Sequence, residues 1–63
     1  EPLTPREMEV LRLLETALSR PEMARELHVS VNTVRTHVRR IYGKLDAHSR
    51  AEALARAEEL ELL

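Results

Sequence analysis

Between Asn32 and Arg40 the chain carries amide, hydroxyl and guanidinium side chains at helical spacing. Projected at about 100° per residue, Asn32, Thr36, Arg39, Arg40 and Gly43 share one side of a helix, with Arg35 at its border. Val31, Val34, Val38, Ile41, Tyr42 and Leu45 share the other side. Arg, Asn and Thr are the residue types that read base edges in a major groove: Arg pairs with guanine, Asn with adenine, and the Thr methyl meets the thymine methyl. Charge is segregated at the same place. Residues 35–44 carry four cations and no acid (+4), against −2 for residues 1–34 and −3 for residues 45–63, so a net charge of −1 conceals a dipolar layout. Such a layout points one basic face at a polyanion; a merely solvated helix face is the alternative.

Other chemistries have little to stand on. His28, His37 and His48 are scattered, lack carboxylate or thiolate companions at ligand spacing, and are accompanied by no Cys. That pattern predicts neither a metal site nor a disulfide nor a thiol nucleophile. The Ser and Thr residues are accounted for as helix caps, which argues against an enzyme. No cofactor is expected. No apolar run approaches the ~20 residues of a membrane-spanning helix, so no membrane partner is expected, and a Cys-free chain fits the cytoplasm.

The elements that position this face follow from the punctuation. Sixty-three residues hold one small domain, and an apolar content of 43% without Phe or Trp gives an aliphatic core. Thr4-Pro5-Arg6-Glu7, Ser19-Arg20-Pro21-Glu22 and Ser49-Arg50-Ala51-Glu52 each place a Glu three residues after a hydroxyl, the signature of a capping box. Ser30 is a fourth candidate cap, followed by the apolar series Val31, Val34, Val38, Ile41, Leu45. These signals predict an all-α fold with helices over about Pro5–Thr16, Arg20–Leu27, Val31–Leu45 and Arg50–Leu60. Met8, Leu11 and Leu14 of the first, Met23, Ala24 and Leu27 of the second, and Ala53, Leu54, Ala57 and Leu60 of the fourth form the expected inward stripes. Only His28-Val29-Ser30 separates the second and third helices, so they must cross steeply, as in a helix-turn-helix spanning about residues 20–39. The hydroxyls of Ser19, Ser30 and Thr33, with the free amides near Arg20 and Asn32, suit phosphate oxygens.

The run Leu3-Thr4-Pro5-Arg6-Glu7-Met8-Glu9-Val10-Leu11, then Leu18-Ser19, Met23-Ala24 and Val29-Ser30-Val31-Asn32-Thr33-Val34-Arg35-Thr36-His37, resembles the LuxR-type helix-turn-helix of bacterial transcription regulators. Ile41-Tyr42-Gly43-Lys44-Leu45 and Ser49-Arg50-Ala51-Glu52-Ala53 continue that pattern. The resemblance implies a four-helix domain over residues 1–63, the C-terminal part of a longer regulator, whose third helix binds double-stranded DNA and whose fourth pairs with a second copy. Base contacts are implied at Arg35, Thr36 and Arg39. Backbone contacts are implied at Ser19, Arg20, Ser30, Asn32, Thr33, His37 and Lys44, with Arg40 as a further candidate from its place on the outward face. A bonded, partly buried histidine is the other reading of His37, and simple solvation the other reading of Arg40. Ala51 and Ala55 lie four apart on the fourth helix, off its inward stripe, and are candidate dimer contacts. RNA polymerase is a further expected partner.

The chain departs from the family pattern where Ala17 replaces a frequent Gly, where Asp46-Ala47 replaces Gly-Val, and at Pro21, which donates no amide. Residues 55–63 resemble the tails of large ATP-dependent regulators of the maltose-activator type. A sigma-type promoter-reading domain shares helices 1 to 3 but not the fourth. A helical module docking an acidic protein partner is the rival of another class.

Overall fold

The computed structural model describes residues 2–63; Glu1, the first residue of the expected domain, lies outside the described residues. Among the described residues four helices follow one another without strands: α1 (Pro5–Leu14), α2 (Arg20–Leu27), α3 (Val31–Leu45) and α4 (Arg50–Glu59). The helix starts are where the caps predict them. The Glu7 amide donates to Thr4 Oγ1 at 3.1 Å and the Thr4 amide to Glu7 Oε1 at 2.9 Å, and Ser19 and Glu22 make the same reciprocal pair. At α4 the reciprocity is displaced by one residue: the Glu52 amide donates to Ser49 Oγ at 3.1 Å, but the Glu52 carboxylate accepts from the His48 amide at 2.9 Å.

Of the helix ends, those of α2 and α3 fall at Leu27 and Leu45 as expected, whereas α1 and α4 end short of Thr16 and Leu60. α1 stops at Leu14, because the Glu15 and Thr16 amides turn back to the carbonyls of Arg12 and Leu13. Beyond α2, α3 and α4 stand His28, Asp46 and Glu61, all with positive φ (57°, 54° and 58°). Each is followed by an apolar residue whose amide reaches back to the last turn: Val29 to Ala24 O (3.0 Å), Ala47 to Tyr42 O (2.9 Å), Leu62 to Ala57 O (2.8 Å). These are left-handed helix stops built without glycine. Asp46 therefore holds the conformation that its position after α3 requires, whereas Ala17 lies outside the left-handed region and is not strained. Asp46→Gly is expected to stabilise the domain by about 0.5–1 kcal/mol, read as a raised midpoint in thermal unfolding. A lowered midpoint would refute this account of the stop.

The core is formed by Val10, Leu11 and Leu14 of α1, Met23 and Ala24 of α2, Val34, Val38, Ile41 and Leu45 of α3, and Ala53 and Ala57 of α4. α3 is its axis, touching each of the other helices. Two expectations are corrected. The inward face of α1 is Glu7, Val10, Leu11 and Leu14, at spacings of three, one and three, and Met8 only borders it. Leu60, expected inward, is 53% exposed, because the left-handed turn at Glu61 ends α4 and brings Leu62 against the core instead. No helix among the described residues is long and apolar enough to cross a membrane.

Candidate nucleic-acid interface

α3 has its expected two sides. Val34, Val38, Ile41 and Leu45 are buried, and Asn32, Arg35, Thr36, Arg39, Arg40 and Gly43 are exposed. Arg35, read as a border residue, faces solvent. The Thr36 hydroxyl donates to Asn32 O at 3.0 Å, so its hydrogen is committed within the helix and its methyl and oxygen lone pairs are what it presents outward.

Between α2 and α3 lies an open cleft of about 470 Å³ lined by Arg20, Arg35, Val38, Arg39 and Tyr42. Arg20, placed by the Ser19 cap at the first position of α2, thus joins two arginines of α3. Among the described residues the ion pairs are Arg6–Glu9, Lys44–Glu7 and Arg56–Glu59, so none of these three guanidiniums is neutralised by a carboxylate. Like charges gathered without a counter-ion repel one another and attract an anion. Tyr42, expected in the core, is half-buried: it packs on the core and also forms one wall of the cleft.

The two helix starts beside this cleft differ in charge. α2 carries Glu22 in its first turn, which accepts from the Ser19 amide at 2.8 Å; that bond holds the carboxyl below its ordinary range. α3 has no acid in its first turn, and the Ser30 hydroxyl accepts from the Thr33 amide at 3.1 Å and shares a hydrogen bond of 2.9 Å with the Thr33 hydroxyl. The positive end of the α3 dipole is therefore uncompensated by the chain itself, and it suits a phosphate better than that of α2.

His37 is half-buried, and its Nδ1 is enclosed without a partner. Nε2 is therefore the nitrogen left for a partner outside the fold.

Lys44 does not join this face. Its ammonium donates to Glu7 Oε1 at 2.7 Å and to Pro2 O at 3.2 Å, tying the end of α3 to the start of α1. The Lys44 ammonium is thus engaged within the fold: a buried carboxylate needs a cation, and Lys44 supplies it. The signal was present in the sequence, since Glu7 falls on the same helical stripe as Val10, Leu11 and Leu14.

Two arginines not singled out from sequence act as clamps. Arg50 donates to carbonyls at the end of α1, and Arg56 Nε donates to Leu45 O at 3.0 Å. Ala51 and Ala55 are exposed on α4.

The sequence profile of the family described as bacterial regulatory proteins, luxR family, matches residues 1–57. The chain belongs to that family. As a LuxR-family chain it is 44% identical over 59 residues to the HTH-type transcriptional regulator MalT of Vibrio campbellii. It is 42% identical over 59 residues to MalT of Yersinia pestis (strain Pestoides F). Each of these matches covers 94% of this chain and 6% of the relative, so the LuxR-family chain spans about 6% of the length of these curated relatives. It is also similar to the response regulator ChrA of a heme-sensing two-component system, whose crystal structure superposes with a TM-score of 0.95 at 38% identity, covering 100% of this chain and 31% of that one. The fold is thus the LuxR-type helix-turn-helix, and the family is one of transcription regulators, not of enzymes.

Proposed function

We propose that this LuxR-family domain binds double-stranded DNA sequence-specifically, with α3 in the major groove, as the C-terminal output domain of a longer cytoplasmic bacterial transcription regulator. One observation carries the reading: an exposed Asn32, Arg35, Thr36 and Arg39 face lies beside a cleft in which Arg20, Arg35 and Arg39 meet without a carboxylate partner. Arg35, Thr36 and Arg39 are the base-reading residues. Ser19, Arg20, Ser30, Asn32, Thr33, His37 and Arg40 are the backbone contacts, with His37 donating from Nε2. Lys44 is not among them.

Selection of duplexes from a random pool tests the reading. Enrichment of one short motif supports it, and retention of all duplexes alike, or of none, overturns it.

The domain works as a pair. Ala51 and Ala55 are exposed small residues on one side of α4 and allow a close approach of a second copy, but such a stripe buries too little area for a stable dimer in dilute solution. Pairing therefore accompanies binding to adjacent half-sites. Ala55→Glu is expected to weaken cooperative occupancy of paired half-sites roughly tenfold, since each copy brings a charge into the contact, while a single half-site is bound as before. A loss of equal size on both probes in gel-shift titrations would remove α4 from the pairing.

A further inference from the structure

Arg50 is the first residue of α4, yet its side chain is engaged at the far end of α1. Its Nε donates to Leu14 O at 2.9 Å, and its Nη2 donates to Thr16 O at 2.6 Å and reaches Leu13 O at 3.5 Å. Thr16 is itself pinned: its hydroxyl donates to Leu13 O at 2.6 Å and accepts from the Leu18 amide at 3.2 Å. One guanidinium therefore gathers the exit of α1 and the start of the turn over residues 15–19. That turn delivers Ser19, the cap of α2, and Arg20, a wall of the arginine cleft. Ending a surface helix does not require such a clamp, because water can serve the last carbonyls. A planar guanidinium fixes direction as well as distance, which an ammonium does not.

We propose that Arg50 is a positioning residue for the duplex contacts of Ser19 and Arg20. It sets the α1–α2 turn, and through that turn it places Arg20 beside Arg35 and Arg39. The proposal rests on the duplex-binding reading above. It makes the first turn of α4 part of the DNA-reading unit, although α4 itself lies behind α3.

The test compares Arg50→Lys, which keeps the charge, in the wild-type chain and in Arg20→Ala. Each variant is titrated with a selected duplex well below its unfolding midpoint, and amide hydrogen exchange is followed in the free proteins. Arg50→Lys is expected to raise Kd about fivefold in the wild-type chain and less than about twofold in Arg20→Ala, the coupling expected of a residue that acts through another. Exchange is expected to quicken at Leu18, Ser19 and Arg20 and not at Val34 or Val38. A lowered midpoint with unchanged Kd, or the same loss of affinity in both backgrounds, would overturn the proposal by making Arg50 a purely structural clamp. Should the wild-type chain retain no selected duplex, the DNA-binding reading falls. The exchange experiment then decides alone whether Arg50 holds the turn, and unchanged exchange at Leu18, Ser19 and Arg20 refutes it.

Discussion

Arg39→Ala is expected to cost about 1–3 kcal/mol on the cognate duplex and to flatten the preference at one base pair, while binding to random-sequence duplex falls much less. Arg39 sits near the middle of the exposed side of α3, one turn from Arg35 and close to Thr36, where a helix lying in the groove comes nearest the base edges. It also shares the cleft with Arg20, which comes from α2 and is the backbone contact in the proposed function. The two arginines therefore have separable signatures. Loss of a phosphate contact at Arg20 should weaken all duplexes similarly and reduce the logarithmic salt slope by about one. Competition titrations at several salt concentrations separate these results. If Arg39→Ala lowers cognate and random binding by the same factor, Arg39 is a backbone anchor and the base-reading role passes to Arg35 and Thr36.

Lys44→Met is expected to destabilise the fold by about 2–3 kcal/mol, near the low end of what breaking a buried pair costs because Lys44 is only partly enclosed. The reason is Glu7, 3% exposed, whose carboxylate would keep the Thr4 amide and lose its cation. The same pair gives the effect a pH dependence. The Lys44 hydrogen bond, then the Thr4 amide, hold the Glu7 carboxyl below its usual 4.5. A depressed carboxyl contributes stability that is present above the unfolded value and is lost as pH falls through the folded one. The wild-type advantage over Lys44→Met should accordingly be full near neutral pH and shrink as pH falls through the carboxylate range and the wild-type Glu7 takes a proton. Urea unfolding across that range measures it. A variant of wild-type stability whose DNA salt slope drops by about one would return Lys44 to the phosphate contacts.

The exposed place of Arg39 on α3 and the partner of Lys44 mark what helical periodicity encodes and what it does not. Arg39 is legible because its neighbours on the face lie three and four residues away, and helical geometry fixes their relation before any tertiary contact forms. The starts of α1 to α4 are legible for the same reason: each cap and its amide partner lie three residues apart. Lys44 meets Glu7 across 37 residues and Arg50 meets the α1 exit across 34 to 37, and no periodicity encodes such meetings. Even there a physical hint was available, since a carboxylate on an apolar stripe demands a distant cation. The mistake at Leu60 is of another kind: the stripe of α4 continues to Leu60 in the sequence, but the helix ends at Glu59 and the left-handed turn at Glu61 carries Leu62 to the core in its place.

The chain's single glycine, Gly43, sits inside α3, where an added Cβ would meet nothing within 4 Å, while the three left-handed positions are filled by His, Asp and Glu. Glycine in a helix interior costs about 0.5–1 kcal/mol, and an ordinary residue in a left-handed turn about 1–2 kcal/mol. On a folding landscape these are points of local frustration, where residue preference and fold disagree although cap, core and charge pattern agree everywhere around them. None of the four positions lies in the core. A laboratory selection for heat resistance acting on this domain should therefore reach residues 28, 43, 46 and 61 before it reaches any buried side chain.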